Sequence, residues 1–213
     1  MSQSAVTQLF KNRHSLAHVM LMAIHKHYPT ALPTIGPVTE NGFYYDVDFG
    51  GVKIGPDDLT KIESAMKEIL IQNLDFAVEA VPSQKAKELF AANPFKLEII
   101  DGIEKEGVDV TLYHTGKEFF DLCEGPHVEN TKEIPADSFK LTTVAGAYWR
   151  GDEKKPMLTR IYGIAFENKE ALDAYILQQE EAKKRDHRIL GKQLKLFTFS
   201  ELVGPGLPLW TPR

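Results

Sequence analysis

Apolar positions along this chain change period several times, and each change marks an element. Over 13–28, Leu16, Met20, Ala23 and His27 recur at helical spacing, and Pro29 stops the run. Phe43, Tyr45, Val47 and Phe49 then alternate with Tyr44, Asp46 and Asp48 behind an Asn41-Gly42 turn signal, the pattern of a half-buried strand in a hairpin. Pro56-Asp57-Asp58 opens a second helix through Ile62, Met66, Ile69 and Leu70. A strand is predicted at 76–81 and a short helix at 82–92, closed by Asn93-Pro94. Strands follow at 95–100 and 108–114 around an Asp101-Gly102 turn, then at 119–123, 139–145 and 157–166. Asn168 caps a long helix reaching about 194, with Ala171, Leu172, Tyr175 and Ile176 on its buried side. Residues 1–12 lack a strong period and read as a loose leader. The tail, with Gly204-Pro205-Gly206-Leu207-Pro208 and Thr211-Pro212, is loop chemistry. Helices and strands mix without regular βαβ alternation, so the predicted fold is α+β: a mixed, largely antiparallel sheet packed with helices and followed by a long linker helix.

A chain of 213 residues holds one large domain, or one with an appendage. Cys123 is the only cysteine, which rules out an internal disulfide and suits a reducing cytoplasm. The apolar stretch 16–24 is far too short to cross a bilayer, so no membrane role is expected. A net charge of −5 argues mildly against nucleic acid, yet charge is uneven. Between 181 and 195, Lys183, Lys184, Arg185, Arg188, Lys192 and Lys195 face only Glu181 and Asp186, which leaves −9 for the rest. That stripe suits either a local nucleic-acid contact or an ordinary solvated helix face.

His14 and His18 are four residues apart on a predicted helix, so their imidazoles share a face. Cys123 and His127 repeat the spacing across a Gly-Pro bend. If the pairs converge, three nitrogens and a sulfur form the tetrahedral set zinc favours; the same groups also serve metal-free, as acid, base or hydrogen-bond donors. Asp121 lies two residues before Cys123, on the same side of a strand, where a carboxylate can orient water or hold an amine. Cys123 as a covalent nucleophile ranks below ligand or pocket-wall roles, since no nucleophile elbow surrounds it. Lys96 reads as a solvent-facing strand residue. The run Phe43-Tyr44-Tyr45 can stack on a base, although sheet packing is its ordinary use.

Together the blocks Arg13-His14-Ser15-Leu16-Ala17-His18, Ile35-Gly36-Pro37-Val38, Asn41-Gly42-Phe43-Tyr44-Tyr45-Asp46, Asp121-Leu122-Cys123-Glu124-Gly125-Pro126-His127, Thr143-Val144-Ala145-Gly146-Ala147-Tyr148-Trp149-Arg150-Gly151-Asp152 and Arg160-Ile161-Tyr162-Gly163 closely resemble bacterial-type threonyl-tRNA synthetases. The likeness runs from about residue 13 to the end. It implies an editing domain at 13–167, a linker helix at 168–195, and the start of a class II catalytic domain at 196–213. The preceding ubiquitin-like domain, the class II motifs and the anticodon-binding domain are absent, so aminoacylation and ATP binding are expected only of a full-length enzyme. The chain ends abruptly on Thr-Pro-Arg, as a piece of something longer would.

The resemblance further implies post-transfer editing, the hydrolysis of the aminoacyl ester of Ser-tRNA(Thr), with tRNA(Thr) mischarged with serine as partner. It carries catalytic roles onto His14, His18, Lys96, Asp121, Cys123 and His127. Lys96 and His14 would position or polarise water and substrate, Asp121 would hold the seryl amine, and His18, Cys123 and His127 would shape the pocket. Alanyl-type relatives bind zinc through the two His/Cys pairs, whereas threonyl sites generally work without it; zinc on His14, His18, Cys123 and His127 is therefore allowed for but no cofactor is required. Tyr148, Trp149, Arg150, Lys184, Arg185 and Arg188 are the expected tRNA contacts, and a homodimer is expected only of the full-length enzyme. The rival readings are a non-catalytic tRNA-binding or linker module, a free-standing alanyl-type editor, and, last, a generic zinc hydrolase, which lacks a His-Glu-x-x-His motif.

Overall fold

The computed structural model describes residues 7–199 and 207–211. Residues 1–6 of the expected leader and the Gly204-Pro205-Gly206 loop therefore lie outside the described residues, as does the side chain of Lys192. The chain divides into two compact units, Met1–Lys169 and Glu170–Arg213.

In the first unit the leading helix α1 (Gln8–His27) begins five residues earlier than its apolar period suggests. The Thr7 hydroxyl accepts the Phe10 N–H at 3.2 Å, and this N-cap draws residues 8–12 out of the expected leader and into the helix. Leu16, Ala17, Val19, Met20, Ala23 and Ile24 are fully buried, so α1 is enclosed on almost all sides. It packs beside α2 (Pro56–Leu70) on a five-stranded antiparallel sheet. The strands are β1 (Leu32–Pro33), β2 (Val38–Thr39), β3 (Gly42–Asp48), and two later ones, Phe139–Tyr148 and Met157–Ala165. The Asn41-Gly42 signal does make a hairpin, with Thr39 opposite Gly42. Gly42 is also needed for close approach, because a Cβ there would lie 2.0 Å from the Gly163 carbonyl oxygen.

A smaller antiparallel sheet holds β4 (Phe76–Val81), β5 (Val110–Thr115) and β6 (Phe119–Leu122), in that order. Val81, Val110 and Leu112 on one of its faces pack against α3 (Ser83–Leu89) and α4 (Pro94–Glu106). Here the structure corrects the expected 95–100 strand and the Asp101-Gly102 turn. Asn93-Pro94 starts a helix instead of ending one: the Asn93 side chain accepts the N–H groups of Phe95 and Lys96, and proline suits the first helical position. The helix runs on through Asp101 and Gly102 to Gly107, which ends it in a left-handed conformation.

β7 (Phe139–Tyr148) and β8 (Met157–Ala165) complete the large sheet. In the second unit the predicted single helix is two, α5 (Lys169–Lys184) and α6 (His187–Gln193). The Asp186 carboxylate accepts the Arg188 N–H at 2.8 Å and caps α6, which accounts for the break. β9 (Phe197–Phe199) pairs antiparallel with β10 (Pro208–Trp210). Among the described residues no helix is long and apolar enough to cross a membrane.

Candidate active site

The second face of the small sheet meets the histidine face of α1. Cross-strand register fixes that face: Phe76, Thr115 and Phe119 form one row, and Val78, Tyr113 and Asp121 the next. Cys123 follows just beyond β6, its N–H bonded to the Thr111 carbonyl at 3.1 Å. The chain then bends at Gly125, where φ is +72° and a Cβ would lie 2.4 Å from the Tyr113 hydroxyl oxygen. The bend turns His127 back onto His14 and His18, with ring centroids 4.2 and 4.3 Å away, and stacks it on Phe76 at 5.0 Å. Both predicted pairs thus converge.

Hydrogen bonding gives the cluster a direction. The Pro126 carbonyl can only accept, so His14 Nδ1, at 3.2 Å, donates. His14 Nε2 must then accept, and its partner at 3.2 Å is the Cys123 thiol. His127 Nε2 lies 3.2 Å from the same sulfur and donates to it. Its Nδ1 accepts from the Ser15 hydroxyl at 3.1 Å, while Ser15 in turn accepts the Val128 N–H. Every member of this chain is neutral. Burial holds the His14 and His127 pKa values down and pushes the Cys123 thiol up to about 12. His18, enclosed more completely, is held well below the ordinary imidazole value by burial and by neighbouring His14 and Lys96. A thiol so placed is a poor nucleophile at neutral pH.

The same four residues fit zinc in kind. Their ligating atoms lie within 4.8 Å of one another, and the 3.2 Å sulfur–nitrogen separations approach the ~3.5 Å that tetrahedral Zn–S and Zn–N bonds impose. His14, His18, Cys123 and His127 would hold the ion and fill its tetrahedral set, so water or a carbonyl would be polarised by it only as a fifth ligand or in place of one of the four; binding requires the Cys123 proton to leave.

Beside this neutral chain stands a charged group. Lys96, on the first turn of α4, is 1 % exposed and places its ammonium 2.5 Å from Asp121 Oδ1. The expected solvent-facing Lys96 is thus corrected: Asn93 and Pro94 turn it inward. Asp121 Oδ1 also accepts the Leu122 N–H, and Oδ2 accepts the Tyr45 hydroxyl. Sequence reasoning took Tyr45 for core or base stacking; a phenol at a buried strand position needs a polar partner, and that was the available signal. His14, His18, Tyr45, Lys96, Asp121 and Cys123 open together into one cleft of about 760 Å³, rimmed by apolar side chains such as Phe10 and Ile35.

The expected tRNA contacts divide. Tyr148 is 41 % exposed and Arg150 lies at the surface beside Glu98, but Trp149 is buried. Its ring packs edge-on against Phe95 and its indole N–H donates to Glu98, so Trp149 braces α4 and offers no stacking surface. Lys184, Arg185 and Arg188 are exposed in the second unit, where Lys184 pairs with Glu181 and Arg188 with Asp186.

Residues 110–162, which include Asp121, Cys123 and His127, match the family model described as the threonyl and alanyl tRNA synthetase second additional domain. Along almost its whole length the chain is similar to threonine--tRNA ligases. It is 51 % identical to that of Gloeobacter violaceus over 213 residues, 99 % of this chain and 34 % of the relative. It is 50 % identical to that of Ureaplasma parvum over 205 residues, 95 % of this chain and 34 % of the relative. The chloroplastic/mitochondrial threonine--tRNA ligase 2 of Arabidopsis thaliana is 47 % identical over 214 residues, 100 % of this chain and 32 % of the relative. The chain belongs to the threonyl-tRNA synthetase family. It spans about a third of the length of these relatives. In this family context the two histidines of α1 and Lys96 lie outside the matched 110–162 segment, so the cleft is assembled from both sides of that boundary.

Proposed function

We propose that this cleft edits mischarged tRNA(Thr) in the cytoplasm by hydrolysing the ester that joins serine to the terminal ribose. Serine lacks one methyl of threonine, worth only about 1–3 kcal/mol in a binding pocket, or roughly 10–200-fold discrimination, so a synthetase gains accuracy from a second, hydrolytic site. The observation that carries this reading is the enclosed Lys96–Asp121–Tyr45 group sharing one cleft with a neutral imidazole–thiol chain.

A carboxylate offers about four acceptor positions. Three on Asp121 hold Lys96, Leu122 and Tyr45, and the fourth receives the seryl ammonium. Lys96 donates to the ester carbonyl, where negative charge develops as water attacks. His14, its ring nitrogens engaged by Pro126 and Cys123, helps to place that water by shape, as a wall of the cleft. The carbonyl carbon gains the water oxygen, the ester C–O bond breaks, and the ribose oxygen leaves with a proton; free serine and tRNA result. His18, Cys123 and His127 wall the pocket. Zinc is not required by this scheme. Tyr148, Arg150, Lys184, Arg185 and Arg188 are the proposed phosphate and base contacts.

Single-turnover deacylation of seryl- and threonyl-tRNA(Thr) tests the reading. Expected is selective loss of serine, absent with Asp121→Ala. Binding of tRNA without cleavage would favour a non-catalytic tRNA-binding module, and cleavage of mischarged tRNA(Ala) instead would favour an alanyl-type editor.

A further inference from the structure

The hydrogen-bond chain above uses both ring nitrogens of His14 and of His127, but not those of His18. His18 Nδ1 is enclosed and has no hydrogen-bond partner. One other buried side-chain atom among the described residues shares that condition, the hydroxyl of Thr115. Both belong to the packing of α1 on the small sheet. Thr115 occupies the central strand of the small sheet, with Phe76 and Phe119 directly opposite it on either side. The His18 ring approaches both, at centroid distances of 6.4 and 6.2 Å, and so packs against the row of the sheet that Thr115 centres. Thr115 and His18 are 0 and 3 % exposed. Two unpaired polar atoms in one apolar box would each cost about 1–3 kcal/mol; paired, they cost little.

We infer that Thr115 is a positioning residue: through one enclosed water its hydroxyl holds the His18 Nδ1 proton, and so fixes the tautomer that leaves Nε2 with a lone pair. The direction follows from electrostatics, since His18 lines the same cleft as the Lys96 cation, which favours a lone pair on that side over an N–H. His14 Nε2 is taken by the thiol and His127 Nε2 donates to it. His18 is therefore left with the one imidazole lone pair able to accept a hydrogen bond from water or substrate. The last step rests on the editing reading; the tautomer does not.

The test is two-bond ¹H–¹⁵N spectroscopy on the ¹⁵N-histidine-labelled chain, prepared metal-free, with His18 assigned by loss of its signals in His18→Gln. The wild-type protein should show the Nδ1–H tautomer by about ten to one. Thr115→Val should reduce that preference to near parity and lower the melting temperature by about 2–4 °C, while Thr115→Ser keeps both. Seryl-tRNA deacylation should fall several-fold in Thr115→Val and recover in Thr115→Ser. A wild-type Nε2–H tautomer, or a melting temperature that rises in the valine variant because an unpaired hydroxyl has been removed, overturns the inference. The wild-type spectrum decides even if the valine variant does not fold. Lack of deacylation by wild-type protein would count against the editing reading and leave the tautomer result standing.

Discussion

Two polar groups line the same cleft and are buried by opposite means. The imidazole–thiol chain from Pro126 to Ser15 stays neutral: each group spends its protons and lone pairs on a neighbour, and burial suppresses ionisation. The Lys96–Asp121 group stays charged, with a hydroxyl and a backbone N–H completing the carboxylate's shell. Charge is expensive in the interior unless paired, whereas a neutral network is expensive only where a member is left over. The contrast separates tasks: the charged group suits holding an ammonium and a developing oxyanion, the neutral one suits shape and water placement.

The contrast breaks most visibly if one charge is removed. Asp121→Ala strands the Lys96 ammonium and should cost about 3–5 kcal/mol in urea unfolding, while Lys96→Met with Asp121→Leu should recover much of it. A loss below about 1 kcal/mol would show the pair to be solvated. Next, a thiol at about 12 against an ordinary 9.0 carries roughly a thousandfold less thiolate, so iodoacetamide should modify native Cys123 about that much more slowly than the unfolded chain. Equal rates would contradict the neutral chain.

The third effect is smaller per group and concerns pH. His14, His18 and His127 all have pKa values below 6.5 when folded, so below pH 6.5 the unfolded chain takes up protons that the native one refuses. Stability should therefore be flat above 6.5 and fall as pH drops, by up to about 1.4 kcal/mol per pH unit for each imidazole, as thermal melts would show. Zinc bound to the cluster would steepen the fall, since ligands must lose protons to bind. Last, the exposed Lys26–Glu68 pair, 2.6 Å long, should matter little: Lys26→Ala should leave the urea-unfolding midpoint nearly unchanged. A larger change would blur the distinction between enclosed and surface charge.

How much of this the sequence carries depends on the range of the interaction. The pattern at 56–70 and 76–81 is local, and α2 and β4 appear where it places them. The α1 histidines share a face for the same reason, since the 3.6-residue period needs no tertiary contact. Their meeting with Cys123 bridges 109 residues and depends on the sheet register, which has no local signature, together with the bend that Gly125-Pro126 does signal. Lys96 was misread because Asn-Pro serves equally as a stop and as a cap with proline at the first helical position. Trp149 sits in a motif that suggests a surface, and only the packing of Phe95 and Glu98 against it shows a brace.

The most direct test of the division of labour is a crystal structure with a non-hydrolysable 3′-seryl-amide analogue of the terminal adenosine. The account predicts the seryl ammonium within hydrogen-bonding distance of Asp121 and the acyl carbonyl facing Lys96. An analogue seated with its ammonium away from Asp121, or outside the cleft altogether, would contradict it.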